Sequence, residues 1–298
     1  MSLIEKAIEK LRADAAMQQG PRPVSRPLGA PARVEVVAGS EAPPPVTTRK
    51  ISIDREALRG AAYFPEAGTE SRFANYYRQI KAPVLQRAFA PGATPEQRVV
   101  LVSSALPGDG KTFNSINLAL SLARERDSSV LLVDADVPKP RVSNILGIEG
   151  ERGLLDALVN ETLDPESLVL RTDVPGLELL PSGTRTDNAS ELLTSARMRQ
   201  ISARLCSSNA RRIVLFDAPP LLVSSEARAL LLVPGQILLV VRAFKTPRRA
   251  VRDALGLIEE DRLTGVILNE GSADLGANYY YDYASYDSEE PKKKKRAE

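Results

Sequence analysis

Six short apolar runs recur along this chain: "RVVLVSS" (98–104), "SSVLLVDAD" (128–136), "GLELLPSG" (176–183), "RRIVLFDAPP" (211–220), "GQILLVVRA" (235–243) and "TGVILNE" (264–270). Helical patterns separate them, among them "TFNSINLALSLARER", "SELLTSARMRQISARL", "SSEARALLL" and "PRRAVRDALGLIEE". Continuous Val/Leu/Ile runs are too apolar to face water on either side, and the intervening helices supply the cover. The pattern predicts an α/β fold, a mostly parallel sheet flanked by helices on both faces, over residues 70–270. A helix over 70–90, "ESRFANYYRQIKAPVLQRAF", leads into it, with Phe73, Tyr77 and Ile80 on one side. It is expected to stop at Pro83 or shortly after.

Between the first run and its helix stands "ALPGDGKT", Ala105 to Thr112. It matches the phosphate-loop (P-loop) pattern except that Ala105 replaces the first glycine. Gly108 and Gly110 free the backbone to turn its N–H groups inward at a helix N-terminus, where phosphate oxygens are held. Pro107, Asp109 and Phe113 complete the candidate nucleotide-binding segment. Lys111 is placed to reach the β- and γ-phosphates of a nucleotide, and the Thr112 hydroxyl to bind Mg²⁺. Two further runs end in carboxylates: Asp134 and Asp136 on one, Asp217 on another. Ligands of open α/β sheets lie at the carboxyl ends of the strands. Singly, each aspartate has a plain use as a helix cap or turn former. Three beside a phosphate loop repel one another unless a cation offsets them, and nucleotide-borne Mg²⁺ does so.

The chain lacks histidine and has one cysteine, Cys206. Ser-His-Asp triads, His-ligated metals and internal disulfides are thereby excluded, and a general base must be a carboxylate, lysine or tyrosine. A net charge of +2 does not read as a nucleic-acid binder. Residues 1–16 form one apolar stripe, Leu3, Ile4, Ala7, Ile8 and Leu11, behind a capping-box pair, Ser2 and Glu5. Such a helix either folds back on its own domain or docks on a partner. Residues 17–69 read as a Pro-rich linker, with seven of the 22 prolines between 17 and 50. Residues 271–298 have no apolar periodicity and read as a disordered tail. Five of the eight tyrosines fall there: Tyr279, Tyr280, Tyr281, Tyr283 and Tyr286. Without a phosphate loop this cluster reads as a sticky binding segment; beside one, it reads as a phosphoacceptor. The terminal "KKKKR" suits solubility or weak contact with an anionic membrane. Neither a signal peptide nor a run near the ~18 apolar residues of a membrane span is present, which predicts a cytoplasmic protein.

"SSALPGDGKT", "VLLVDADVPKP" and "IVLFDAPP" resemble the Walker A, A′ and B motifs of bacterial tyrosine kinases, the P-loop autokinases of polysaccharide assembly and export. The likeness extends to "MSLIEKAIEKLR", "YYRQIKAPVL", "GLLDAL" and the C-terminal tyrosines, and is closest to autokinases of exopolysaccharide and exosortase systems. It implies a P-loop NTPase fold and an ATP- and Mg²⁺-dependent autokinase. Asp134 would be the base or orienting group for a tyrosine hydroxyl, Asp136 a metal-side carboxylate, Asp217 a Mg²⁺ ligand through water, and Asn269 an adenine contact. It also implies self-association, a membrane-spanning polysaccharide chain-length or export partner, and placement at the inner face of the membrane through that partner. The sequence departs from the family in three places, one of them the loop "GTRTDNASELL" (183–193), where a proline-bearing turn would be usual. Pro138 stands where the Walker A′ arginine is expected, with Lys139 and Arg141 nearby. The Glu-x-x-Arg-x-x-Arg/Lys oligomerisation helix appears as Asn75-x-x-Arg78-x-x-Lys81. Two other functions share the fold: a partition or septum-site ATPase, whose signature lysine is Leu106 here, and a nucleotide-binding regulator that transfers nothing.

Overall fold

The structure is a computed structural model that describes residues 50–271. The N-terminal helix, most of the linker, the five tail tyrosines and the terminal lysines lie outside the described residues. An eight-stranded sheet runs β1 (Lys50–Ile51), β4 (Leu170–Thr172), β5 (Leu177–Leu180), β3 (Ser129–Asp134), β6 (Arg212–Asp217), β2 (Val99–Ser104), β7 (Gln236–Arg242), β8 (Leu263–Asn269). Every pairing is parallel except β4 with β5. The six apolar runs all become strands. The two short ones, β1 and β4, carry too few residues to show a period.

Side-chain alternation splits the central strands between two cores. Leu101, Leu131, Val133, Val214, Phe216 and Leu239 pack on one face, under α5 (Leu154–Val159), α6 (Ala189–Thr194), α7 (Ala196–Ser207) and α8 (Ser225–Leu230). Val102, Leu132, Leu215 and Val240 pack on the other. That face is covered by α1 (Arg55–Gly60), α2 (Glu70–Ala88), α3 (Lys111–Leu122) and α4 (Arg141–Ile145). The remaining helix, α9 (Arg248–Leu255), follows β7 and buries Ala254 in the first core.

Three expectations need correction. Residues 50–69 are not all linker: β1 pairs with β4, and α1 is capped by the Asp54 carboxylate and buries Leu58. A proline-rich composition upstream hid these two short elements. Helix α2 does not stop at Pro83 but runs to Ala88, because burial of Val84 and Ala88 outweighs the hydrogen bond lost at Pro83. The single helix expected over 190–205 is two. Ser195, extended at φ −66° and ψ 160°, ends α6 and caps α7 through its hydroxyl on the Met198 amide.

At the amino end of β6, away from the carboxyl ends, Arg212 is 4% exposed. Its guanidinium donates to both Glu166 oxygens at 2.8 Å and to Glu178 at 2.7 Å. Arg212→Ala strands two acids in a low-dielectric setting. It is expected to lower the urea midpoint by the equivalent of about 3 kcal/mol, read by equilibrium unfolding.

Candidate active site

The loop between β2 and α3 carries two left-handed glycines, Gly108 at φ 87° and Gly110 at φ 97°. The φ of Gly110 is what favours glycine there, and a Cβ would also displace the Asn269 amide, whose Nδ2 would lie 2.0 Å away. The first helical bond of α3 runs from the Asn114 amide to the Gly110 carbonyl at 3.0 Å. The amides of Lys111, Thr112 and Phe113 therefore have no helical acceptor, the usual source of anion affinity at a helix start. Asn114 Nδ2 also donates to Gly110 O at 2.9 Å, and Tyr77 OH donates to Asn114 Oδ1 at 3.0 Å.

Strands β3, β6 and β2 are neighbours, so their carboxyl ends bring the predicted residues together. Asp134 and Asp217 are register partners. They share the parity of Leu132 and Leu215, which puts them on the face covered by α3. Asp217 accepts from Thr112 Oγ1 at 2.8 Å and from Ser115 Oγ at 2.9 Å. Lys111 Nζ lies 2.5 Å from Asp136 Oδ2 and 3.5 Å from Thr112 Oγ1. Asp134 Oδ2 accepts the Ser143 amide at 2.7 Å, while its buried Oδ1 has no partner.

The charges do not balance. Burial and the neighbouring Asp217 push Asp134 up to about 7. Burial likewise raises Asp217, against the opposing pull of Lys111. Burial alone lowers Lys111, but Asp217 and Asp136 outweigh it and hold the ammonium above its ordinary value. One buried cation thus faces three buried carboxylates. Among the described residues no three acidic, cysteine or histidine side chains form a metal-binding group by themselves. A cation here must bring ligands of its own, as a nucleotide-bound Mg²⁺ does through its phosphate oxygens. The free Asp134 oxygen and the loop that favours glycine at position 110 fit such a guest.

The other predicted residues fall around this centre. Asp109 is buried, with its carboxylate on the Leu106 amide at 3.1 Å and the Thr246 hydroxyl at 2.7 Å. Asn269 Nδ2 donates to the Asp109 carbonyl at 3.0 Å. Phe113 and Asn269 line a cleft of about 720 Å³ together with Phe73, Tyr76 and Leu268. Pro107 lies in the loop itself. Neither neighbour of Pro138 brings its side chain to the acids: Lys139 meets Asp136 through its backbone amide, and Arg141 donates to Tyr63 OH at 3.3 Å. Lys81 is also committed, to Glu125 at 2.5 Å and Ser121 O at 3.1 Å, so it is spent inside the fold. Sequence reasoning missed Ser115, Ser143 and Thr246. Ser115 had a signal, since it stands one turn after Lys111 on α3; the other two are joined to the site only by tertiary structure.

Comparison with known proteins agrees with this geometry. A family model described as an AAA domain matches residues 97–247. Tyrosine-protein kinase YwqD of Bacillus subtilis is 31% identical over 188 residues, covering 62% of this chain and 78% of that protein. The succinoglycan biosynthesis transport protein ExoP of Rhizobium meliloti is 31% identical over 205 residues, 67% of this chain and 25% of its own. The crystal structure of the VpsO kinase domain shares 32% identity at a TM-score of 0.57, covering 68% of this chain and 98% of that one. The Walker-type loop, the strand-end aspartates and these matches agree: the chain belongs to the bacterial tyrosine-kinase family of P-loop proteins.

Proposed function

We propose that this chain is an ATP-dependent protein-tyrosine autokinase that moves the γ-phosphoryl group of Mg-ATP to its own C-terminal tyrosines. The observation that carries the reading is the buried excess of carboxylate over cation beside a phosphate-loop helix. In this reading Lys111 leaves Asp136 to meet the β- and γ-phosphate oxygens, where negative charge must be stabilised as the phosphoryl group departs. Thr112, Asp136 and Asp217 hold Mg²⁺, which when bound neutralises phosphate charge. Asn269 and Phe113 border the cleft proposed for the base.

Asp134 removes the proton. A phenol has a pKa near 10 and must lose or share its proton as its oxygen bonds to phosphorus. Asp134 offers Oδ1 for that purpose, since Ser143 occupies only Oδ2. A carboxylate that titrates near 7 is a stronger base than an ordinary aspartate, yet ionised in enough molecules to act. Tyr279, Tyr280, Tyr281, Tyr283 and Tyr286 are the proposed acceptors. The last strand ends at Asn269, on the same rim as the loop, and ten extended residues reach ~33 Å. A membrane-spanning polysaccharide chain-length or export protein is the proposed partner, in keeping with the name of ExoP. That partner would hold the kinase at the inner face of the membrane; no helix among the described residues is long and apolar enough to cross it.

Incubation with ATP and Mg²⁺ should yield phosphotyrosine on the chain, read by antibody and by mass. Changing the five tail tyrosines to Phe should remove most of that signal while ATP binding persists. Hydrolysis of ATP with no phosphotyrosine would overturn the kinase reading in favour of a positioning ATPase.

A further inference from the structure

A carboxylate in a phosphate loop is an awkward neighbour for a triphosphate, because its charge opposes the ligand's. Asp109 occupies such a place and is 4% exposed. Both of its oxygens are taken. Oδ2 accepts the Leu106 amide at 3.1 Å, which closes the loop on itself. Oδ1 accepts the Thr246 hydroxyl at 2.7 Å, across 137 residues of chain. That hydroxyl in turn accepts the Arg242 amide at 3.0 Å, so β7 orients the donor. A second tie comes from β8, where Asn269 donates to the Asp109 carbonyl at 3.0 Å and lies against Gly110. The Ala243 amide donates to the Asn269 carbonyl at 2.8 Å, which joins the two ties behind the loop.

We propose that Thr246 is a positioning residue for the triphosphate, holding the Asp109 carboxylate away from it and so keeping the phosphate loop open to the anion. Thr246 touches neither phosphate nor metal; it acts through Asp109. With the hydroxyl gone, Oδ1 loses its donor in a buried setting and turns to the nearest alternative, the inward amides that phosphate needs. A hydrogen bond to a charged, buried oxygen is among the stronger ones, so the cost should appear in nucleotide affinity. The inference rests on the nucleotide reading above and deepens it.

The test is a double-mutant cycle with Mg-ATP as the probe, followed by calorimetric titration and by KM and kcat for phosphotyrosine formation. Thr246→Val should weaken ATP binding about ten-fold, raise KM in parallel, and leave kcat at saturating ATP within about two-fold. Thr246→Ser should restore affinity. On an Asp109→Asn background the Thr246→Val change should cost almost nothing further, because there is no charge left to restrain. Wild-type affinity in Thr246→Val overturns the inference, as does full additivity of the two substitutions. A lower melting temperature with unchanged ATP affinity also overturns it, by showing a merely structural hydroxyl. If the wild-type chain itself binds no Mg-ATP, the nucleotide reading falls and takes this one with it. Normal binding by both wild type and Thr246→Val sinks this inference alone.

Discussion

Lys111→Ala is expected to cut ATP-dependent phosphotyrosine formation at least about 10³-fold, since it removes charge stabilisation from binding and transfer together. The same substitution leaves Asp136 without its partner at 2.5 Å and Asp217 without its nearest cation. A buried pair broken on one side typically costs about 3–5 kcal/mol, so the apo protein should also melt at lower temperature. Lost activity alone would therefore not separate a chemical role from a folding defect. The double variant Lys111→Met with Asp136→Asn, read beside Asp136→Asn alone because Asp136 is itself a proposed Mg²⁺ ligand, separates them. It removes both charges, should recover most of the melting temperature, and should recover no transfer. If that neutral pair regains phosphotyrosine, Lys111 does not act on the phosphates.

Asp134→Asn should have the opposite signature: transfer falls about 10²- to 10⁴-fold while the apo protein becomes more stable. The sign follows from the direction of the shift. Asp134 titrates near 3.8 when exposed and near 7 when folded, so the folded state favours its protonated form. Its contribution to stability is whole below pH 4 and is lost as the pH rises to 7. At pH 8 the wild-type fold holds an unwelcome anion that Asn does not carry. The gain should be on the order of 2 kcal/mol, or roughly 4–8 °C in Tm for a domain of this size. Asn keeps a carbonyl oxygen for the Ser143 amide, so the local geometry is preserved. Wild-type transfer should rise with pH through about 7, and Mg-ATP binding should survive the substitution. A pH-independent rate between 6 and 8, or an unchanged Tm at pH 8, would contradict the role given to Asp134.

The sheet was legible because its inner strands are buried on both faces, and Val130–Val133 or Ile213–Phe216 have no polar residue to interrupt them. The strand-end acids were legible for a related reason: a charge closing an apolar run marks where the strand leaves the core. Register was not legible. Nothing local in "VLLVDAD" or "IVLFDAPP" tells that Asp134 and Asp217 stand side by side, where burial raises both and Asp217 adds to the rise at Asp134. A contact of long sequence separation was equally hidden, Thr246 on Asp109 across 137 residues, and so was the tight return that sets the Ser143 amide on Asp134 nine residues earlier. Pro83 misled for a physical reason, since a helix break inferred from one missing amide takes no account of the packing beyond it.

The described chain joins the sheet on β1 at one margin and departs from β8 at the other. Seven inter-strand spacings put these two points roughly 34 Å apart. Tension applied between them would load the two-residue β1 first, peeling it from β4 before straining the six-residue strands at the centre that grip the phosphate loop.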